Sequence, residues 1–368
     1  MTIEEFTLDL LNMPLTVPYK VSQRTYTTFT PIVVRLRDRD GGEGFGEAHL
    51  TPGYSYETPI GAWDFCRSFA ADSIGNDSTK LRAAVMARAA DSPGAASAML
   101  AAVDMLERHP LLEISRPTRI PLLAPCQAKE PSSIRDEVDT LLEQGFRTLK
   151  VKVGFDVDAD LARVEYIQEA CAGRATLRLD ANRAFSRAQG CEFAARLEPA
   201  SIELFEQPCA SADWDSNAAV AQVSTVPVML DESIYTVADI DRAATLKGVG
   251  FIKLKLKKIG SVEMLKDALN RIRALGLEPV MGDGVSVEIA CWMEACVART
   301  TITNAGEMNG FLKPVNRLFA NPLPFVNGAI EMPQGYRPAL DAAAYARQVT
   351  RSERFASPSI HVSAGGTS

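Results

Sequence analysis

The sequence predicts an α/β protein, a modified (β/α)8-type TIM barrel preceded by an N-terminal α+β capping domain. From about residue 120 onward, short apolar strand patterns alternate with helix patterns, which is typical of a parallel sheet with crossover helices. Before that point, strand patterns come first and helix patterns follow. Charged residues also recur about every 25 residues, roughly the length of one strand with its helix. We therefore expect a capping domain at 1–118, a barrel at 119–320 and a C-terminal segment, 321–368, that packs back on the cap.

The first elements are strands and a hairpin. Strand-like runs read TIEEFTLDLL, FTPIVVRLRD and EGFGEAHL, and Asp40-Gly41-Gly42 separates the second run from the third. A turn of this composition between two strand patterns is a strong hairpin signal. Residues 60–109 are rich in alanine and include SAMLAAVDMLERH, which indicates helices.

Eight further strand patterns follow, and we interpret them as the strands of the barrel. They read IPLLAPC, TLKVKVG, LRLDAN, IELFEQP, VPVMLDES, GFIKLKLK, LEPVMGDGV and TITNAGEMNG. Helix patterns such as SSIRDEVDTLLEQG and VEIACWMEACVART lie between them. The proline-rich residues 321–368 are interpreted as irregular.

Bulk composition excludes several classes of protein. A net charge of -7 and a pI of about 5.3 argue against a nucleic-acid surface. There is no run of about 18 apolar residues for a membrane span, and MTIEEFTLDLL lacks the basic and apolar regions of a secretory signal. Seven scattered cysteines without a CxxC pair indicate reduced thiols in a cytoplasmic protein. Three distant histidines argue against a zinc site or a Ser-His-Asp triad.

Three carboxylates, Asp180, Glu206 and Asp231, follow consecutive strands of the barrel. Strand side chains alternate between faces, so the apolar face packs on helices and the charged face points into the barrel. Converging carboxylates repel one another unless a cation lies between them, and an oxygen-only set suits Mg²⁺, with Mn²⁺ as an alternative. The other interpretation is that each carboxylate caps the helix that follows its strand.

Lysines precede and follow these carboxylates. Lys150 and Lys152 share one face of the upstream strand, and Lys253, Lys255 and Lys257 share one face of the downstream strand. A neighbouring cation favours the neutral form of a lysine and lowers its pKa toward that of a general base. Lys150 therefore has two possible roles: tuning Lys152 or binding a substrate carboxylate.

With these residues the chain resembles the enolase superfamily, and within it the muconate-lactonizing-enzyme subgroup of the mandelate racemase/muconate lactonizing enzyme family. The resemblance covers essentially the whole chain. It rests on a GxGEA-like hairpin (44–48), KxK (150–152), DxN (180–182), EQP (206–208), DES (231–233) and KLKKIG (255–260). The strand end MGDGV has no histidine, unlike the mandelate racemase branch, and Ser261 stands where the subgroup usually has a second glycine.

The resemblance implies that Asp180, Glu206 and Asp231 bind Mg²⁺. It also implies that Lys152 and Lys255 are an acid/base pair on opposite faces of the substrate, and Lys257 is the alternative to Lys255. Asn182 and Glu232 are expected to support the metal site. Substrate contacts are expected from Lys150, Asp283, Glu307 and Tyr54, and two acids would suit a substrate with an ammonium group. His49 is interpreted as structural, and other residues are placed in cap loops over the barrel mouth: Tyr19, Lys20, Arg24, Tyr26 and Tyr56.

The implied chemistry is abstraction of the proton alpha to a carboxylate, through an enediolate. Two bases on opposite faces invert a stereocentre, so we expect a racemase or epimerase of an amino-acid-like acid. The alternatives are a muconate-type cycloisomerase, a syn-dehydratase of a hydroxy acid or hydroxyproline-like substrate, and a barrel that binds a ligand without turnover. The expected partner is a small-molecule carboxylate, and the resemblance implies a homo-oligomer.

Overall fold

The capping elements are those that the sequence predicts, with one additional hairpin. A computed structural model describes residues 1–21 and 24–357, except for the side chains at positions 20, 21 and 24. The strands of the cap are β1 (Ile3–Leu11), β2 (Met13–Val21), β3 (Arg24–Phe29), β4 (Ile32–Asp38) and β5 (Glu43–Ala48). Its helices are α1 (Pro59–Ser73), α2 (Ser78–Ala87) and α3 (Pro93–Leu106).

The predicted hairpin joins β4 to β5, which pair as antiparallel neighbours. The Asp38 carboxylate accepts hydrogen bonds from the backbone of Asp40 at 3.0 Å and Gly42 at 2.7 Å. Gly41 has a φ of 80°, a left-handed conformation that glycine adopts without steric cost. The turn therefore forms for the reason that its composition suggests.

Strand β5 lies directly against α3 because two of its residues have no side chain. A Cβ at Gly44 would lie 2.1 Å from the carbonyl oxygen of Ala102, and one at Gly46 would lie 2.1 Å from that of Ala98. Both distances are shorter than any van der Waals contact. The glycines of the GxGEA-like motif thus set the spacing between the cap sheet and its central helix.

The β2–β3 hairpin corrects the prediction that this part of the cap consists of loops. Tyr19 and Tyr26 lie opposite each other on paired strands, and both side chains are buried. Tyr26 and Phe29 pack against His49, whose Nδ1 accepts a hydrogen bond from Thr30. The predicted side-chain positions of Lys20 and Arg24 lie outside the described residues. Alternation of side chains with a period of two residues could have indicated these two strands, but Pro14 and Pro18 interrupt that pattern.

A short strand, β6 (Thr118–Pro121), precedes the barrel sheet. The strands of that sheet are β7 (Ala124–Cys126), β8 (Thr148–Lys152), β9 (Thr176–Asp180), β10 (Ile202–Glu206), β11 (Val228–Leu230), β12 (Val249–Leu254) and β13 (Glu278–Met281). They are parallel, in the order β13-β12-β11-β10-β9-β8-β7. The helices are α4 (Pro131–Glu143), α5 (Val157–Cys171), α6 (Arg187–Arg196), α7 (Trp214–Val223), α8 (Val237–Ala243), α9 (Leu256–Ile259), α10 (Val262–Ala274) and α11 (Glu288–Thr301). The predicted fold class is confirmed.

The eighth predicted strand, TITNAGEMNG, is not a strand in the structure. Gly306 forms a single bridge with Leu122, and the backbone of Glu307 donates to Met281 at 2.8 Å. The segment thus connects β13 with the start of β7 and closes the barrel without a continuous ladder. The side chain of Asn304 binds the carbonyl of Pro279 at 3.0 Å, in place of a backbone pair.

The C-terminal segment is more regular than predicted. It contains β14 (Phe325–Val326), β15 (Ala329–Met332), α12 (Ala342–Gln348) and β16 (Val349–Ala356). Strand β15 pairs with β6, and β16 pairs antiparallel with β1 along almost its whole length. The segment therefore contacts both the beginning of the barrel and the cap sheet. The predicted domain boundaries stay predictions.

A buried carboxylate joins the cap to the barrel. Glu47 of β5 accepts hydrogen bonds from the backbone of Val287 at 2.6 Å, Ile289 at 3.1 Å and Ala290 at 3.3 Å, at the start of α11. An anion at a helix N-terminus accepts hydrogen bonds from free N–H groups and is stabilised by the positive end of the helix dipole. Burial nevertheless raises the pKa of Glu47 to about 7.

Two further expectations concern the whole chain. All seven cysteines are unpaired and six are buried, in agreement with the predicted thiols. Within the described ranges, no helix combines the length and apolarity that a bilayer crossing needs.

Candidate active site

Three carboxylates meet at the carboxyl ends of neighbouring parallel strands. Asp180 ends β9, Glu206 ends β10 and Asp231 directly follows β11, and each side chain is almost completely buried. Asp180 and Glu206 lie side by side in the strand register. The structure therefore brings together the carboxylates that the sequence places on separate strands.

Two buried lysines form ion pairs with these carboxylates. Lys150 Nζ lies 2.8 Å from Asp180 Oδ2 and 2.9 Å from Glu206 Oε2, and Lys253 Nζ lies 3.0 Å from Glu206 Oε1. Both amines also contact Glu307. Burial lowers the pKa of Lys150, but the three carboxylates outweigh burial and hold that pKa well above its usual value. Glu307 is therefore paired with both buried lysines within the site.

Lys152 projects into the cavity from the end of β8. Its Nζ lies 2.5 Å from Asp180 Oδ2 and contacts the side-chain oxygen of Asn182, and its side chain is about one-fifth exposed. Asn182 in turn donates to Glu232 at 3.2 Å. Burial and the charge of Asp231 raise the pKa of Glu232 to about 7. Asn182 and Glu232 thus form a hydrogen-bonded chain from Lys152 toward Asp231.

Lys255 lies on the other side of the carboxylates, directly after β12. Its Nζ lies 2.8 Å from Asp231 Oδ2 and donates to the Tyr54 hydroxyl at 2.5 Å, and that hydroxyl donates to Asp231 Oδ1 at 2.8 Å. Burial lowers the pKa of Lys255, but Asp231, Asp283 and Glu232 raise it by more, so that the ammonium form is favoured. Tyr54 belongs to the cap and therefore contributes directly to the surroundings of this lysine.

These groups line one cavity of about 690 Å³, including space that opens to solvent. The cap contributes Tyr19, Tyr26 and Tyr54 to its wall, and the barrel contributes Asp283 and Glu307. The predicted alternative base, Lys257, also lines it, but forms an ion pair with Asp283 at 2.6 Å. Tyr56 points away from this cavity and is mostly exposed.

Sequence reasoning missed several residues that hold the site in place. Lys258 Nζ is buried and contacts both Asp231 Oδ1 at 2.8 Å and the Asp231 carbonyl at 2.6 Å. Glu294 of α11 accepts from the backbone of Leu256 at 2.9 Å and Asp283 at 3.1 Å, which fixes the loops after β12 and β13. Arg183 donates to the carbonyl of Gly53 in the cap loop. The sequence signal for Lys258 and Glu294 was a charged residue at a position expected to be buried, in KLKK and in VEIACWMEA respectively.

The carboxylates fit a divalent cation by their chemistry, although not by their present spacing. The donor set is all oxygen, and the buried Glu206 Oε2 has the Lys150 amine as an ion-pair partner at 2.9 Å but no well-aligned hydrogen bond in the described part of the chain. Among those residues, no three acidic, cysteine or histidine side chains converge closely enough to hold an ion. Lysine amines lie between the carboxylates instead. Asp180, Glu206 and Asp231 are the residues that would hold such an ion.

Comparison with known proteins identifies the family. A family model described as enolase C-terminal domain-like matches residues 133–338, more than half of the chain. The chain belongs to the mandelate racemase/muconate lactonizing enzyme family of the enolase superfamily. The predicted resemblance is therefore confirmed.

Individual relatives are isomerases. An aromatic dipeptide epimerase from Herpetosiphon aurantiacus is 30% identical, over 89% of this chain and 93% of its own length. The structure of N-succinyl Arg/Lys racemase from Bacillus cereus aligns with a TM-score of 0.87 at 20% identity, covering 96% of this chain and all (100%) of that one. A dipeptide epimerase from Enterococcus faecalis, solved with Mg and L-Leu-L-Tyr, aligns with a TM-score of 0.82 at 22% identity, covering 91% and 98%. The prediction of an isomerase of the enolase superfamily is confirmed.

Proposed function

We propose that the protein is a Mg²⁺-dependent epimerase that inverts the alpha carbon of an amino-acid residue in a dipeptide or N-acyl amino acid. The observation that carries the proposal is the position of Lys152 and Lys255. Lys152 ends β8 and Lys255 directly follows β12, and the three strands that supply the carboxylates lie between β8 and β12. A substrate bound over the carboxylates would therefore have one amine on each face of its alpha carbon.

Each residue of the site has a separate role in a two-base reaction. One lysine removes the alpha proton as a neutral amine, and the other, as an ammonium ion, returns a proton to the opposite face. A divalent ion held by Asp180, Glu206 and Asp231 would stabilise the negative charge that develops on the substrate carboxylate. Lys150 and Lys253 form ion pairs with Asp180 and Glu206 and hold these carboxylates in place. Tyr54 closes the cavity from the cap side and excludes water from Lys255.

Charge and relatives together support the substrate class. The acids at the last strand ends are already paired, Glu307 with Lys150 and Lys253, and Asp283 with Lys257. A free ammonium group is therefore not required of the substrate, and an acylated or peptide-bonded amine is compatible with the site. The aromatic dipeptide epimerase relative favours the dipeptide form. A cytoplasmic location and a homo-oligomeric assembly stay predictions.

The test is proton NMR in D₂O with Mg²⁺, using dipeptides, N-acyl amino acids, prolines and muconates as substrates. We expect loss of one alpha-proton signal with formation of the epimer, and no reaction after treatment with EDTA. Lys152→Ala and Lys255→Ala should each reduce epimerisation at least about 1,000-fold, because each removes one acid/base partner. Each variant should still exchange the alpha proton of one stereoisomer, the one whose proton faces the remaining lysine.

Lys266→Ala is the matched control, since this lysine is partly exposed on α10, where it pairs with Glu263. It should react like the wild type. A lactone or an alkene-derived product would replace the epimerase proposal with cycloisomerisation or dehydration. Unchanged epimerisation in both lysine variants would contradict the two-base arrangement itself.

A further inference from the structure

A second cavity lies at the junction of the cap and the barrel, away from the carboxylates. This junction cavity is enclosed by residues 105–114 at the end of α3, Trp292 of α11 and residues 335–337 of the C-terminal segment. It encloses about 770 Å³, including the space open to solvent. Part of its wall is apolar, with the buried side chains of Ile114, Trp292 and Tyr336.

Two arginines line this cavity without a carboxylate partner. Among the residues that the structure describes, Arg108 makes no ion pair, and Arg337 donates only to the carbonyl oxygen of Met105 at 3.3 Å. Both are exposed at the mouth of the cavity. Exposed arginines elsewhere in the cap behave differently, since Arg37 and Arg39 pair with glutamates on β1.

The remaining charged groups of the lining do not cancel the two guanidinium charges. Glu113 is the single carboxylate of the lining and lies beyond ion-pair distance of both arginines in the described structure. His109 is already engaged, because its Nε2 lies 3.3 Å from Glu263 and its Nδ1 accepts from Leu111. Two guanidinium groups against one carboxylate leave a net positive charge in a chain whose total is -7.

The two arginines line the same cavity, so their charges act on each other. Burial and the charge of Arg108 lower the pKa of Arg337. An anion between them would remove this repulsion and accept charge-assisted hydrogen bonds from two planar donors. The Trp292 ring lines the same cavity, while its indole Nε1 is buried within the protein and has no acceptor among the described residues.

We infer that the junction cavity binds a small organic anion, with its carboxylate between Arg108 and Arg337 and an apolar body against Trp292 and Tyr336. The combination of an apolar wall with a few polar groups at one end is typical of small-molecule sites. Trp292 lies on α11, the helix whose first turn binds Glu47 and whose Glu294 holds the loops of the active site. An anion bound here would therefore contact the helix that joins both parts of the chain.

The test is isothermal titration of phenylacetate into the full-length wild type and the double variant Arg108→Gly/Arg337→Gln. Arg108 has a φ of 53°, so glycine at this position removes the guanidinium group and also suits the backbone. We expect the variant to bind phenylacetate at least tenfold more weakly, with an unchanged melting temperature. Inorganic phosphate, which has no apolar body, should bind the wild type more weakly than phenylacetate does.

Arg116→Ser is the matched control, an exposed arginine outside the lining, and it should bind like the wild type. Any binding of phenylacetate at the active-site lysines would persist in the double variant as a separate component. Equal affinity of the double variant and the wild type would overturn the inference, as would equal affinity for phosphate. A smaller oligomer for the double variant in light scattering would also overturn it, because the arginines would then belong to a subunit interface. None of these readouts depends on the proposed epimerase activity.

Discussion

The two lysines proposed as the acid/base pair have different kinds of neighbour. Among the described residues, the Lys152 amine forms hydrogen bonds with barrel residues, Asp180 and Asn182, whereas the Lys255 amine contacts Asp231 and the hydroxyl of Tyr54 from the cap. The Tyr54 ring also lies 4.3 Å from the Lys255 amine, within the range of a cation–π contact. In the proposed reaction, the cap would therefore act on proton transfer at the Lys255 face through Tyr54.

Replacement of Tyr54 by phenylalanine tests this dependence. Tyr54→Phe keeps the ring over Lys255 but removes the hydrogen bonds to Lys255 and Asp231. We expect kcat to fall on the order of tenfold to 100-fold, with a smaller change in KM. The reason is that the Lys255 amine loses the hydroxyl that orients it, whereas the groups that bind the substrate are unchanged. Steady-state kinetics in both directions of epimerisation measures the effect, and the direction that starts on the Lys255 side should be affected more.

Tyr56→Phe is the control for this variant, since Tyr56 lies in the same loop and donates to the carbonyl of Ala90. Its kinetics should match those of the wild type. Equal losses in the two variants would mean that the loop, and not the hydroxyl of Tyr54, matters.

At the residue scale, the sequence was most informative where charge and strand position coincide. Asp180, Glu206 and Asp231 could be placed together because each follows an apolar strand of a repeating pattern. Their ion pairs could not be predicted, because pairing depends on side-chain reach across the barrel. Lys253 and Lys258 illustrate this, since both are buried within three residues of Lys255 but contact different carboxylates. The metal-binding roles of Asp180, Glu206 and Asp231 and the catalytic roles of Lys152 and Lys255 stay predictions.

At the scale of elements, the contact of β5 with α3 is the most restrictive packing in the cap. Gly46→Ala places a Cβ against the backbone of Ala98, which cannot move without shifting the helix. We expect a loss of about 1–3 kcal/mol in the free energy of unfolding, the usual cost of overpacking. Chemical denaturation monitored by circular dichroism measures this loss.

Gly61→Ala serves as the comparison, because a Cβ there would approach only the exposed Thr58 hydroxyl, at 3.1 Å. This variant should lose little or no stability. A Gly46→Ala protein as stable as Gly61→Ala would show that α3 can move away from the sheet at low cost.

Elements with a regular pattern were predicted, and elements defined by long-range pairing were not. The hairpin at Asp40-Gly41-Gly42 and helices α4 and α11 follow from local composition and periodicity. Strand β16 pairs with β1 across nearly the whole chain, and no local feature of VTRSERFA indicates a partner at the opposite terminus. The segment around Gly306 closes the barrel through single bridges, so its strand-like sequence gave the wrong element.

At the scale of the whole molecule, Glu47 links the stability of the fold to pH. Its pKa rises from an ordinary 4.5 to about 7 on burial, so the folded state binds more protons than the unfolded state between these values. The free energy of unfolding should therefore fall as pH rises from 5 to 8, by on the order of 2 kcal/mol from this group. Glu47→Gln removes the titration but keeps an acceptor for α11, and should gain stability relative to the wild type over this range.

Urea denaturation at pH 5, 6, 7 and 8 measures this difference. Glu43→Gln is the control, since Glu43 lies at the exposed start of the same strand. Its stability should follow that of the wild type at each pH. Parallel curves for Glu47→Gln and the wild type would mean that Glu47 keeps the same protonation on folding.

The cap loop between β5 and α1 is fastened at both ends by buried carboxylates. Glu47 holds the start of α11, and Glu57 accepts from Ser92 at 2.6 Å and Gly94 at 3.0 Å at the start of α3. Residues 49–56 between them carry Tyr54 to the cavity. The fixed ends limit how far this segment can move away from the cavity, so the cap side of the site is already in position before a substrate binds.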